Sequence, residues 1–299
     1  MTAGDDAERS DEEERRIVSD HFKLGYIGLG NQGAPMAKRY LDWPGGLTVF
    51  DIRDEAMAPF AEAGATAAAS VAEVADADII SVTVLNDEQV REVVGQLAEH
   101  AKPGTVIAIH STISDTTAVE LADALKLQGI HIIDAPVSGG AAVAAKGELA
   151  TMVGAERAVY EQIKPVFKQW ASLIIHAGEP GAGTRMKLAR NMLTFTYYAA
   201  ACEALRLAEG AGLDLQALGR VVRHTEASTG GGNIMVRDNM APLEPDHFLY
   251  QPFLHTRGLG EKDLNLALAL GEAVGVDLPL AELALQNLAD GLGVPHTKE

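Results

Sequence analysis

From residue 23 onward the chain alternates between two kinds of segment, and this limits its fold more than any other feature. Short apolar runs at 23–27, 47–50, 78–84, 105–109 and 131–134 read as strands. Stretches of helical periodicity lie between them, reaching about residue 41 after the first run and then covering 56–63, 87–100 and 114–127. Continuous apolar runs suit strands buried on both faces, and short connections to intervening helices call for parallel pairing. The expectation is a doubly wound, mostly parallel sheet. Two further strands at 149–153 and 173–176, flanking a helix at 156–170, extend it.

Past Gly183 the pattern turns helical: 184–211, about 214–225, a short piece near 233–240, then 258–275 and 279–291. Asp214 and Pro279 are plausible starts, Gly212 and Gly275 plausible stops. The 299 residues suffice for two domains with real cores. The chain therefore divides into an acidic leader at 1–21, a dinucleotide-binding domain at 22–183 and an all-helical substrate and oligomerisation domain at 184–299. The leader lacks apolar periodicity and is expected to be disordered or a loosely docked helix.

Charge and composition exclude several functions. With 24 basic against 42 acidic residues, the net charge of −18 repels nucleic acid and anionic membranes. An anionic substrate would need local positive charge or backbone N–H groups. The single cysteine, Cys202, leaves no intramolecular disulfide, and no secretory signal or membrane-length apolar run is visible. A cytoplasmic protein is expected. The nine histidines are scattered without metal-ligand spacing, so no metal site is expected.

The turn after the first strand reads Gly28-Leu29-Gly30-Asn31-Gln32-Gly33. Such glycines permit a tight turn, close approach of a pyrophosphate and close packing of helix on strand. Asp51, at the end of the second strand, could accept hydrogen bonds from an adenosine ribose. It favours NAD over NADP, although Arg53 could hold a 2′-phosphate. Leu85, Asn86 and Thr112 follow later strands, at the sheet edge where doubly wound folds bind ligands; plain turn chemistry explains them equally well.

Two more motifs complete a potential reaction centre. Ser138, Gly139 and Gly140 follow the fifth strand and could bind a carboxylate through a hydroxyl and unobstructed N–H groups; a simple loop fits them as well. Lys187 and Asn191 stand four apart on one helix face, after the glycine-rich turn at 181–183. A lysine can carry a proton and an asparagine can orient a substrate. Alone, the pair also fits an ordinary amphipathic helix.

Taken in order, the turn at 28–33, the segment 134–140, the segment 181–191 and Lys262-Asp-Leu-Asn-Leu-Ala267 resemble the β-hydroxyacid dehydrogenases, the family of 3-hydroxyisobutyrate dehydrogenase and tartronate semialdehyde reductase. The resemblance covers nearly everything from Phe22 to the C-terminus. It implies a Rossmann-type α/β domain, a long interdomain helix, an all-α domain and assembly into homodimers or homotetramers. It also implies an NAD(P)-dependent 3-hydroxyacid dehydrogenase. Gly28, Leu29, Gly30, Asn31, Gln32 and Gly33 would then hold the cofactor, with Asp51, Arg53, Leu85, Asn86, Thr112 and Lys262. Ser138, Gly139 and Gly140 would bind the substrate carboxylate, Lys187 would be the general acid/base and Asn191 would orient the substrate. The chain departs from many relatives at Gln32, Asn86 and Ile109, all on the cofactor side. The segment Thr229-Gly-Gly-Gly-Asn233, where relatives shape specificity, matches no known substrate pattern. Readings kept beside this one are a 6-phosphogluconate-like or imine reductase-like enzyme and a non-catalytic NAD(P)-binding sensor.

Overall fold

The computed structural model describes residues 22–229 and 241–296, which form two compact units, one ending at Asn191 and one beginning at Met192. The leader at 1–21, the helix expected near 233–240 and residues 230–233 of the glycine-rich segment lie outside the described residues.

The first unit is built on one sheet. Strands β1 (Leu24–Ile27), β2 (Leu47–Phe50), β3 (Thr66–Ala67), β4 (Ile79–Val82), β5 (Val106–Ile109) and β6 (His131–Asp134) run parallel in the order β3-β2-β1-β4-β5-β6. Strand β8 (Leu149–Gly154) joins β6 antiparallel, and both β9 (Ala171–Gly178) and the short β7 (Val137–Ser138) pair with it. The helices are α1 (Gly33–Lys38), α2 (Asp54–Glu62), α3 (Val71–Val74), α4 (Asp87–Ala98), α5 (Asp115–Leu125), α6 (Ala141–Lys146) and α7 (Arg157–Phe167). Side chains alternate between the sheet's faces, so neighbouring residues enter different cores. Tyr26, Ile79 and Val106 pack with Met36, Tyr40, Phe167 and Trp170 on one face; Ile27, Ile80 and Ile107 pack with Val90, Val94 and Leu97 on the other.

Helix α8 (Ala182–Gly210) begins in the first unit. Among the described residues the second unit is helical, with α9 (Leu215–Thr229), α10 (Tyr250–Val274) and α11 (Pro279–Leu292). Its buried side chains include Phe253, Leu278, Ala289 and Val294. The buried Glu203 carboxylate accepts hydrogen bonds from the Leu280 and Ala281 amides and so caps α11. No helix among the described residues is long and apolar enough to cross a membrane.

The structure differs from the sequence reading in its smallest elements. Strands β3 and β7 are two residues each, too short to leave an alternating pattern, and helices α3 and α6 span only four and six residues. Helix α10 starts eight residues before the expected 258. Pro252 is tolerated there because first-turn N–H groups have no partner within the helix.

His110, just past β5, is wholly buried against Tyr26, Phe167 and Trp170. Its Nδ1 lies 2.8 Å from the Ala135 carbonyl, which can only accept, so Nδ1 carries the proton. Its Nε2, 3.0 Å from the Ser81 hydroxyl, then accepts. Burial pushes the imidazole down to about 4, against an upward pull from the Ala135 hydrogen bond. The unfolded chain therefore binds a proton that the folded chain refuses between about pH 6.5 and 4. Stability is full above this window and falls as the pH drops through it. Between pH 7 and 5 this one group should remove about 2 kcal/mol. Urea unfolding at both pH values measures it, and His110→Gln should lose that part of the dependence. An identical pH dependence in the variant contradicts the assignment.

Candidate active site

The cofactor turn separates glycines required by the protein from one that is not. Gly28 has φ +92°, and a Cβ there would lie 2.2 Å from the Thr83 carbonyl oxygen. A Cβ on Gly33 would lie 2.0 Å from the Gly28 carbonyl oxygen. Around Gly30, in contrast, a Cβ would meet nothing within 4 Å. Its missing side chain leaves open space, as a pyrophosphate in close approach requires. Asn31 is exposed, and Gln32 precedes α1 with its amide 3.6 Å from the Met36 sulfur.

Asp51, just past β2, is buried, and both its oxygens are engaged. Oδ2 accepts from the Leu29 amide at 2.7 Å; Oδ1 accepts from the Arg53 amide and Nε, each at 3.0 Å. Burial alone would raise this carboxyl, but the hydrogen bonds from Arg53 and Leu29 outweigh it and hold it below the usual range. Arg53 is thereby drawn onto Asp51. Nearby, the buried Ser111 hydroxyl donates to the Val84 carbonyl at 2.6 Å and accepts from the Val84 amide at 3.0 Å. This brings the turn holding Leu85 and Asn86 beside the turn holding Thr112. The Leu85 and Thr112 side chains are exposed, and the Asn86 side chain caps α4 by accepting from the Gln89 amide.

The second half of the site forms where β6 ends. Asp134 is its last residue, Val137–Ser138 pair with β8, and Gly139 and Gly140 follow with φ +137° and +77°. A side chain on Gly139 would also strike Val143 and Leu149. Both glycines are exposed and Ser138 is half-buried, which leaves their polar groups reachable.

Lys187 lies in the second turn of α8 and is only 8 % exposed. Its Nζ donates to the Val137 carbonyl at 2.6 Å, directly beside Ser138. Burial pushes this ammonium below the ordinary lysine range, and the charge of Arg190 adds to the effect. Asn191, one turn on, is half-buried and its Oδ1 accepts from Arg190 at 3.3 Å. The structure thus brings Lys187 to the Ser138–Gly140 loop. Lys262 belongs to the second unit, is exposed and pairs with Asp263 at 3.1 Å. Exposed His255 lies on α10; His247 accepts from the Leu249 amide and stacks on Phe248. No cluster of metal-ligating side chains occurs among the described residues.

Sequence reasoning gave Asp134 no role of its own. Its buried carboxylate accepts from the Gly181 amide at 2.7 Å and the Thr184 amide at 2.5 Å, satisfying donors at the start of α8. Burial raises its pKa more than these bonds lower it. A signal was available: α8 opens on Gly-Ala-Gly-Thr without a local acidic cap, while an isolated acid ends β6.

Known proteins resemble the chain over nearly its whole length. Residues 23–178 match the family model for the NAD binding domain of 6-phosphogluconate dehydrogenase. Residues 181–293 match the model for NAD-binding of NADP-dependent 3-hydroxyisobutyrate dehydrogenase. An uncharacterised oxidoreductase of Mycobacterium tuberculosis (strain ATCC 25618 / H37Rv) is 72% identical, over 92% of this chain and 94% of its own. A crystal structure of a provisionally described oxidoreductase from Mycobacterium avium 104 is 80% identical. It covers 92% of this chain and 100% of its own, with a TM-score of 0.89. The Mycobacterium tuberculosis 3-hydroxyisobutyrate dehydrogenase, solved with L-serine, is 32% identical over 90% of this chain and 92% of its own, with a TM-score of 0.64.

The three glycines of the cofactor turn should separate by variant. Gly30→Ala should keep its thermal midpoint yet bind NADH at least about tenfold more weakly, a loss near 1.4 kcal/mol. Gly33→Ala should destabilise the fold by about 1–3 kcal/mol through overpacking. Calorimetry and NADH fluorescence titration read the two effects. Wild-type NADH affinity in Gly30→Ala contradicts a cofactor in this turn.

Proposed function

Because the chain belongs to the β-hydroxyacid dehydrogenase family, we propose that it transfers a hydride between NAD(P) and the carbinol carbon of a small β-hydroxyacid. One observation carries the reading: the buried Lys187 amine meets the chain at Val137, next to the Ser138–Gly140 loop. A proton carrier and an anion anchor therefore face one reacting centre. When bound, the nicotinamide supplies the acceptor or donor of the hydride. The glycine turn at 28–33 and Asp51 hold the cofactor, with contributions from Arg53, Leu85, Asn86 and Thr112. The Ser138 hydroxyl and the Gly139 and Gly140 amides take the substrate carboxylate. These donors add no net charge but offset the repulsion of an acidic chain. Asn191 orients the substrate.

Lys187 leaves Val137 for the substrate hydroxyl. As the free amine it removes the hydroxyl proton during oxidation; as the ammonium it returns that proton to the carbonyl oxygen during reduction. A base works best with a pKa near the operating pH, so the downward shift caused by burial serves this role. NAD is the preferred dinucleotide, because Asp51 would repel a 2′-phosphate and already occupies Arg53.

A second copy of the chain is the expected partner. Helix α8 carries exposed Met186, Leu188, Met192, Leu193, Phe195 and Tyr197, more apolar surface than a solvated helix normally shows. Sedimentation should find dimers or tetramers, and Leu193→Glu should shift them toward monomer. A wild-type monomer at micromolar concentration contradicts this.

The catalytic reading is tested with 3-hydroxyisobutyrate, L-serine and other short 3-hydroxyacids, each assayed with NAD and NADP. Turnover should appear with at least one, and kcat/KM should be higher with NAD. Lys187→Ala should lose at least about 100-fold in turnover, the lower range for general acid–base catalysis, while still binding NADH. Near-normal turnover in that variant would sink the assignment.

A further inference from the structure

The carboxylate of Asp134 does more than satisfy helix donors. It bridges the residue before α8 and the first turn of that helix, with Oδ1 on the Gly181 amide and Oδ2 on the Thr184 amide. Three residues beyond Thr184 stands Lys187. Three residues beyond Asp134 stands Val137, whose carbonyl takes the Lys187 amine. The same short segment thus holds the helix at its start, receives the lysine one turn later, and continues into the Ser138–Gly140 loop.

The surroundings leave this joint no slack. A Cβ on Gly183 would lie 2.3 Å from the Met152 carbonyl oxygen and 2.6 Å from that of Asp134. A Cβ on Gly154 would lie 2.1 Å from Asp134 Oδ1. Backbone is packed against backbone on both sides of the carboxylate. On the outer side, Arg185 pairs with Asp115 at 2.8 Å and links the same turn to the start of α5. A small displacement of the helix would move the lysine amine, because the amine lies a fixed number of residues down a rigid rod.

We propose that Asp134 is a positioning residue. It locks the first turn of α8 to the end of β6 and thereby fixes the Lys187 amine relative to the Ser138–Gly140 loop. The role of this placement in turnover rests on the reading of Lys187 as proton carrier; the placement itself does not. Asp134→Asn keeps the volume but turns an NH₂ group toward one of the two amide donors. The joint then loosens, Lys187 gains water, and its pKa rises toward that of an ordinary lysine.

The test follows Lys187 directly. In protein labelled with [¹³C]lysine, the Lys187 Cε signal is assigned by its loss in Lys187→Ala and titrated with pH in the NADH-bound full chain. Asp134→Asn should titrate at least about 0.5 unit above wild type. Gly154→Ala, which crowds the carboxylate without changing it, should shift the signal the same way. Glu203→Gln removes the buried carboxylate that caps α11 and serves as control, with Lys187 unmoved. With 3-hydroxyisobutyrate and L-serine as probe substrates, Asp134→Asn should lose about tenfold or more in kcat, with a smaller change in KM. The acid limb of its oxidation profile should move to higher pH.

An unchanged Lys187 titration in folded Asp134→Asn overturns the proposal, as does an equal shift in Glu203→Gln. Failure of both Asp134→Asn and Gly154→Ala to bind NADH also overturns it, because a positioning role does not abolish the fold. Normal turnover in Lys187→Ala instead removes the catalytic reading and leaves the titration to decide the placement.

Discussion

The site depends on the start of α8 being held against the end of β6. Helix N-termini present donors that the helix cannot satisfy itself, and an external acceptor there is worth about 1 kcal/mol. Asp134 meets two such donors from a buried position, even though burial raises its proton affinity more than the amides lower it. That imbalance marks a carboxylate whose environment works against its charge. Its geometric consequence is that one segment, from Asp134 to Gly140, both anchors the helix and receives Lys187.

Much of this arrangement was legible in the sequence. The apolar runs at 47–50 and 131–134 match β2 and β6, and Gly28-x-Gly30-x-x-Gly33 announced the turn after β1. These features are readable because they arise from local periodicity and local backbone demands. Lys187 and Asn191 stood out by spacing on a helix. The unread parts depend on contacts between distant residues. Asp134 lies 47 residues from Gly181 and 50 from Thr184, so the isolated acid at the end of β6 gives only a faint signal of the helix it caps. The pairing of Arg53 with Asp51 is closer in sequence, yet spacing alone does not show that the guanidinium turns onto that carboxylate. Asn86 follows β4 as its position in the sequence suggests, and its side chain caps α4, a detail that spacing alone leaves open.

The anionic substrate proposed for this acidic protein poses an electrostatic problem. The chain carries −18 overall, so long-range attraction does not favour an anionic substrate. The compensation is local and mostly uncharged: backbone amides on consecutive positive-φ glycines, a half-buried hydroxyl, and one buried lysine. On the proposed reading, such groups would select for a small carboxylate by shape and hydrogen bonding rather than by field strength.

The central claim is that Lys187 and the Ser138–Gly140 loop act on one substrate molecule. The most direct measurement is the distance from Lys187 Nζ to the substrate hydroxyl, in a crystal structure of the chain with NAD and a 3-hydroxyacid such as L-serine. The account predicts a separation within hydrogen-bond reach, about 2.6–3.2 Å, with the carboxylate on the Ser138–Gly140 donors. A substrate bound with its hydroxyl on another side chain, while Lys187 stays on the Val137 carbonyl, contradicts it.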